Sequence, residues 1–270
     1  MEQNLTSAFV LEDDIDWDLR IKAQMQDFAR ASRLLVQPLP GSKDKYLDPT
    51  YPRPSAGQSH QDFAIGEAAT SAPTTSPYGD ITNWDMLWLG HCGCRFPRLS
   101  DETAPLARVV LRDDETVPER QHLDMELGNE ELVNEYPSHT RVVSRARVNS
   151  CSLAYGISQP GARAMLYELG IHKLTDTADI MFRFACDGVD GRRLRKCLTV
   201  QPQLFQHHRP VGPNALFSDI SDHGQGINTR AFSRNIRWSS RLNLGKLVEG
   251  ETDYVDLFKD GEGRINLGPG

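Results

Sequence analysis

Between Trp84 and Gly90 the chain reads Trp-Asp-Met-Leu-Trp-Leu-Gly, a near-continuous apolar run interrupted by one Asp. A strand with no polar face has to be covered on both sides, so the run predicts a buried parallel strand ending at a glycine turn. A sheet built around such a strand needs helices as cover. Two are predicted. From Leu19 to Val36 apolar residues recur at Ile21, Met25, Phe28 and Leu35, with Ser32 filling the fourth step of the stripe. Ser158 is placed to cap a second helix, opened by Pro160 and closed by Gly170, with Ala162, Met165, Leu166 and Leu169 inward. Short strands are predicted at Ala8 to Leu11, Arg108 to Leu111, Cys151 to Ile157 and Leu198 to Val200, with a strand-like passage over Pro202 to Phe205. Asp113 to Glu135 reads as a polar connector with some helical character, and Phe232 to Leu247 as containing a helix with Ile236, Leu242 and Leu247 inward. The fold class expected is α/β.

The segment from Gln37 to Asp80 changes composition to Pro, Ser, Gly and Thr, with seven prolines between Pro38 and Pro77. It has little apolar surface to offset the entropy of ordering, so a long loop is expected, disordered in its middle over about residues 40–78. The tail from 256 to 270 is expected to be loose. Hydrophobic residues make up 39% of the 270, and 37 acids against 30 bases leave a formal charge of −7. That balance argues against a nucleic-acid footprint or attraction to anionic membranes. No stretch approaches the roughly 20 apolar residues of a membrane span, and Met1-Glu2-Gln3-Asn4 has no basic segment leading into an apolar core. The expectation is a soluble chain without a secretory entry signal.

The apolar run Ala8 to Leu11 empties into Glu12, Asp13, Asp14, Asp16 and Asp18. Carboxylates at a strand's C-terminal end sit where open α/β sheets bind ligands. Alternation places Glu12 and Asp14 on one side, with Asp16 a further step along it if the strand continues, and Asp13 on the other. Two acidic oxygens on one face suit a hard divalent cation holding a diphosphate; Asp16 or Asp18 could equally cap the following helix. The five cysteines include no Cys-x-x-Cys pair, which argues against structural zinc, and the spacing of His91-Cys92-Gly93-Cys94 is too tight for tetrahedral coordination. Buried or unpaired thiols are expected, although Cys186 and Cys197 flank a polar segment that a disulfide could close in an oxidising compartment.

Five passages occur in an order that resembles glycosyltransferase family 25, which includes bacterial lipopolysaccharide galactosyltransferases and animal procollagen galactosyltransferases. They are Phe-Val-Leu-Glu-Asp-Asp at 9–14, the apolar run at 84–90, Ser158 to Leu166, Thr177-Ala-Asp-Ile180, and Val200 to His208 with Ser218-Asp-Ile220. The match covers most of residues 5–255 and in detail looks most like the filamentous-fungal branch. The resemblance implies a GT-A-like nucleotide-sugar transferase fold, a UDP-sugar donor, Mn²⁺ or another divalent cation, and a glycan or protein hydroxyl as acceptor. It implies transfer of a hexose, galactose being the family's usual sugar. Glu12, Asp13 and Asp14 then occupy the metal and diphosphate motif, with Asp14 a direct ligand; Asp16 forms a literal Asp-x-Asp with it. Asp179 stands where the family has an Asp, here after Thr177-Ala178, and is the candidate general base; its alternative is an N-cap, and Asp176 could take either role. His207 or His208 could add a metal ligand or be a surface pair, and Asp219 and Asp222 belong to the same closing segment.

In the family the acidic motif follows strands and a helix that hold the uridine, whereas here it begins at residue 12. The expectation is a GT-A-like domain lacking its first strands, with the acidic strand exposed at a sheet edge. Such a chain would be the C-terminal portion of an enzyme, or else a noncatalytic fragment or pseudoenzyme that binds a partner or glycan.

Overall fold

The computed structural model describes residues 4–125, 130–218 and 224–267. In chain order it contains β1 (Ser7–Leu11), β2 (Ile15–Trp17), α1 (Ile21–Val36), β3 (Asp62–Ala64), β4 (Met86–Gly90) and β5 (Arg108–Leu111). There follow α2 (Glu130–Glu135), β6 (Arg141–Arg145), β7 (Ala154–Ser158), α3 (Gln159–Tyr167), α4 (Ala178–Asp187), β8 (Cys197–Gln201) and β9 (Phe205–Arg209). The short strands β10 (Gly212–Pro213), β11 (Ile227–Asn228) and β12 (Phe232–Ser233) and the helix α5 (Leu244–Glu249) complete it. Among the described residues ten strands form one sheet with the path β1-β7-β4-β8-β6-β5-β3, and β9 joins β4 to β2 and β12.

The apolar run does form the central strand, and all five residues of β4 are buried. Its neighbours are mixed: β4 is parallel to β8 but antiparallel to β7. The run reports burial on two faces, and that is indifferent to strand direction. Alternation along β4 sends Leu87 and Leu89 to a core with Phe28, Leu34 and Leu35 of α1, and Met86 and Trp88 to a core with Met165 of α3 and Met181 and Ala185 of α4. The architecture is mixed α/β, with helices on both faces of a mixed sheet.

Ser158 caps α3 as expected, its Oγ accepting from the Gly161 N–H at 3.0 Å. A side chain at Gly161 would meet the Asp85 carbonyl, which an ideal Cβ would approach to 2.3 Å, so the cap also sets the helix tightly against the strand. Two details differ. Leu166 is 59% exposed rather than inward, and Gly170 does not end the helical path, which continues through a wide turn over Glu168–His172. The predicted helix between Phe232 and Leu247 is instead the strand β12, a series of turns and the short α5; Ile236 is buried but Leu247 is exposed. The tail is not loose at its start: Leu257 and Phe258 are buried against Phe232.

Residues 37–83 have little repetitive structure, as their composition predicts. Their course is held by a polar hub. The Asp80 carboxylate accepts from the N–H groups of Thr74 and Thr75 and from Gln37, and Gln37 also accepts from Asn83. These bonds pull the Asp80 pKa down to about 2. The thiol expectation is corrected as well: Cys92 is bonded to Cys151 and Cys186 to Cys197, leaving Cys94 as the buried free thiol.

Candidate functional site

Strand β1 lies at the sheet edge with all five residues exposed, as anticipated from the sequence. After Leu11 the strand does not continue; the chain turns through residues 12–14 and re-enters the sheet as β2, antiparallel to β9. The Glu12 N–H donates to the Leu153 carbonyl at 2.9 Å, and the Asp14 carbonyl accepts from the His208 N–H at 2.8 Å. These bonds fix the turn at both ends, and the Glu12 and Asp14 carboxylates face β9.

Alternation along β9 then sorts His207, His208 and Arg209. The His207 Nε2 lies 3.8 Å from a Glu12 oxygen and 3.7 Å from an Asp14 oxygen. Two positions on, Arg209 Nη1 is 3.7 Å from the same Asp14 oxygen and donates to the Phe217 carbonyl. His208 points the other way, its Nδ1 3.1 Å from Ser233 Oγ. One ligand atom each from Glu12, Asp14 and His207 lie within 4.8 Å of one another.

Asp16 and His208, expected as metal ligands, are not brought to this group. Asp16 is fully buried and accepts hydrogen bonds from the Ser233 and Ser239 hydroxyls and from the Trp17 and Arg241 N–H groups. Burial alone would raise its pKa, but the hydrogen bonds outweigh it and hold the carboxyl below the ordinary range. With its lone pairs occupied, it is a structural anion. Asp18 is likewise buried, accepting from the Arg20 and Trp238 N–H groups just before α1. Asp13 is exposed and contributes its carbonyl to Arg241.

Asp179 sits in the first turn of α4, one residue after the helix begins, so it is not the N-cap. Its two oxygens accept from Thr177 Oγ1 at 2.6 Å and from the Cys151 N–H at 3.1 Å. It is close enough to the acidic turn to act on Glu12. That carboxyl is pushed above its ordinary range by partial burial first and then by the charges of Asp14, Asp179 and Asp13, against the lowering effect of a 3.4 Å bond from Ser152 Oγ. Asp176 is exposed and accepts from the Thr177 N–H. Asp219 and Asp222 lie outside the described residues.

Sequence reasoning missed Arg209 and Ser152, which contact Asp14 and Glu12. Arg209 carried a usable signal, standing two residues beyond His207 on one strand face. Elsewhere, Glu119, His139 and Asp260 also converge. They have internal partners: Asp260 is paired with Arg237 at 2.9 Å, Glu119 accepts from the Gly261 N–H and His139 bonds the Val117 carbonyl. His91 is buried; burial lowers its pKa to about 4, and its Nε2–H donates to the Val200 carbonyl, a core role.

The comparisons with known proteins add no relative: no protein-family model, no curated protein and no solved structure matches this chain.

Proposed function

We propose that this chain belongs to the glycosyltransferase class and moves a hexose, galactose by the resemblance to glycosyltransferase family 25, from a UDP-sugar to a hydroxyl acceptor on a GT-A-like sheet. The observation that carries this reading is the convergence of Glu12, Asp14 and His207 beside Arg209, with Asp179 at the same rim. The donor set fits Mn²⁺, which accepts both carboxylate oxygen and imidazole nitrogen. Ligands at about 2.1 Å from one ion are at most about 4.2 Å apart, so the observed group needs only a small inward adjustment.

When bound, a divalent cation would supply charge that offsets a leaving diphosphate. The chain's own residues do the rest. Glu12, Asp14 and His207 would hold the cation, and Arg209, its guanidinium already facing Asp14, would offer charge-assisted hydrogen bonds to a phosphate oxygen. Asp179 takes the proton of the incoming hydroxyl as general base. Its bonds from Thr177 and Cys151 fix the carboxylate in direction.

Calorimetry of the chain with UDP, with and without Mn²⁺, tests this reading. Metal-dependent binding is expected, lost in Asp14→Asn with an unchanged circular dichroism spectrum; binding retained in that variant would remove the metal assignment. A second reading, a noncatalytic protein that binds a partner or glycan, is favoured by the outer edge of β1, which carries no strand among the described residues. Folded wild-type chain that binds no UDP under either condition would favour it.

A further inference from the structure

One short segment touches both halves of the acidic site. Cys151 has a left-handed backbone, φ +58°, unusual for a residue with a side chain. In that conformation its N–H reaches Asp179, and its carbonyl accepts from the Trp88 indole at 2.9 Å. The next residue, Ser152, donates to Glu12, and Leu153 accepts from the Glu12 N–H. The segment is anchored to the end of β4 by the Cys92–Cys151 disulfide and by two backbone bonds of Ser150, whose N–H donates to the Gly93 carbonyl and whose carbonyl accepts from the Cys92 N–H.

We propose that the Cys92–Cys151 disulfide is a positioning element of the metal site, and that a dithiol reductant lowers the site's affinity for divalent cations by breaking it. This rests on the functional reading above. The geometry makes the dependence direct: without the bridge the left-handed turn at Cys151 has no covalent restraint, and the two bonds that aim Glu12 and Asp179 leave from that turn and its neighbour. In the reduction the dithiol gives two electrons and two protons; the Sγ–Sγ bond breaks, Cys92 and Cys151 become thiols, and the reductant closes its own disulfide. The two bridges differ in access. Cys92 and Cys151 are half-buried, while Cys186 and Cys197 are 3% and 2% exposed, so a mild reductant opens the first before the second.

The test titrates the full chain with Mn²⁺ by electron paramagnetic resonance, oxidised and after dithiothreitol treatment, with the reductant removed anaerobically and thiols counted. On opening of this bridge the affinity is expected to fall about tenfold, the scale of losing a partner that orients a ligand, and to return on reoxidation. The Cys186→Ala/Cys197→Ala chain keeps the response. Cys92→Ala/Cys151→Gly, in which glycine accepts the φ of +58° without strain, binds at the weak level under both conditions while its circular dichroism stays that of the parent. Equal affinity in oxidised chain and in folded chain lacking this bridge overturns the positioning role and leaves the functional reading standing. Failure of the oxidised chain to bind Mn²⁺ overturns the functional reading, and the inference with it.

Discussion

Glu12, Asp14 and Asp16 lie within five residues of one another, yet their surroundings treat them in opposite ways. Asp16 has been given four hydrogen-bond donors and no exposure; Glu12 and Asp14 are partly open to solvent and face each other, His207 and Arg209. Correspondingly, Asp16 is held below the ordinary carboxylate range and Glu12 above it. The difference teaches how to separate a structural carboxylate from one available to a ligand: count the donors already spent on it. A literal Asp-x-Asp is no guide here, since its two members fall on different sides of that count.

The largest expected effect falls on the structural side. Asp16→Ala leaves two buried hydroxyls and two N–H groups without an acceptor, and should cost about 3–5 kcal/mol in urea unfolding. Asp14→Ala should stay within about 0.5 kcal/mol. Similar costs for the two would erase the distinction. Next come the adjacent histidines: His207→Ala should weaken Mn²⁺ binding by at least about 100-fold, more than loss of an outer partner usually does. His208→Ala should leave binding within about threefold and lower stability by about 1 kcal/mol through the Ser233 bond. Binding more sensitive to His208 than to His207 would reverse the assignment of β9's faces.

The pH dependence carries opposite signs. Because the folded-state pKa of Asp16 is lowered, its contribution to stability is fully present above the ordinary aspartate value of 3.8 and is lost as pH falls through the lowered value. For Glu12, whose folded-state pKa is raised, the contribution is present below 4.5 and is lost as pH rises through the raised value. In metal-free protein at pH 7, Glu12→Gln should therefore be the more stable chain, by no more than about 0.5 kcal/mol because solvent screens this half-exposed group. Added Mn²⁺ should reverse the order by stabilising the parent alone, as thermal melts at two pH values would show. Smallest of all, Ser152→Ala removes one long hydrogen bond and should shift Mn²⁺ affinity about twofold; a tenfold loss would place more of the site's definition in that hydroxyl than its 3.4 Å geometry suggests.

What could be read beforehand follows from where the partners lie in the chain. The central strand, α1 and the Ser158 cap were legible because each is specified by residues adjacent or nearly so in sequence. Strand β6 was not: its arginines look solvent-facing, but Arg141 is buried against Asp114 and the Pro202 carbonyl, and Arg145 against the Leu35 carbonyl. The acidic turn was legible as a candidate site, but the sorting of its members was not. Three of the four donors that occupy Asp16 come from Ser233, Ser239 and Arg241, more than 200 residues away. The helix expected within 232–247 rested on Ile236, Leu242 and Leu247, a local stripe that carries no trace of the bonds by which Ser233, Ser239 and Arg241 tie this segment to Asp16. The hub of Gln37 and Asp80 escaped for a similar reason: composition measures apolar surface, and the contacts of this hub are polar.

The edge of β1, bare among the described residues, bears on how the protein behaves at high concentration. Ser7 to Leu11 carry no charge, and Phe9, Val10 and Leu11 are each at least 39% exposed. An exposed, uncharged edge of this kind templates strand addition between molecules, and neither a lysine nor a proline interrupts it. Stock solutions should therefore form oligomers reversibly with concentration, and Val10→Lys should suppress them in light scattering without touching the acidic turn that begins two residues later.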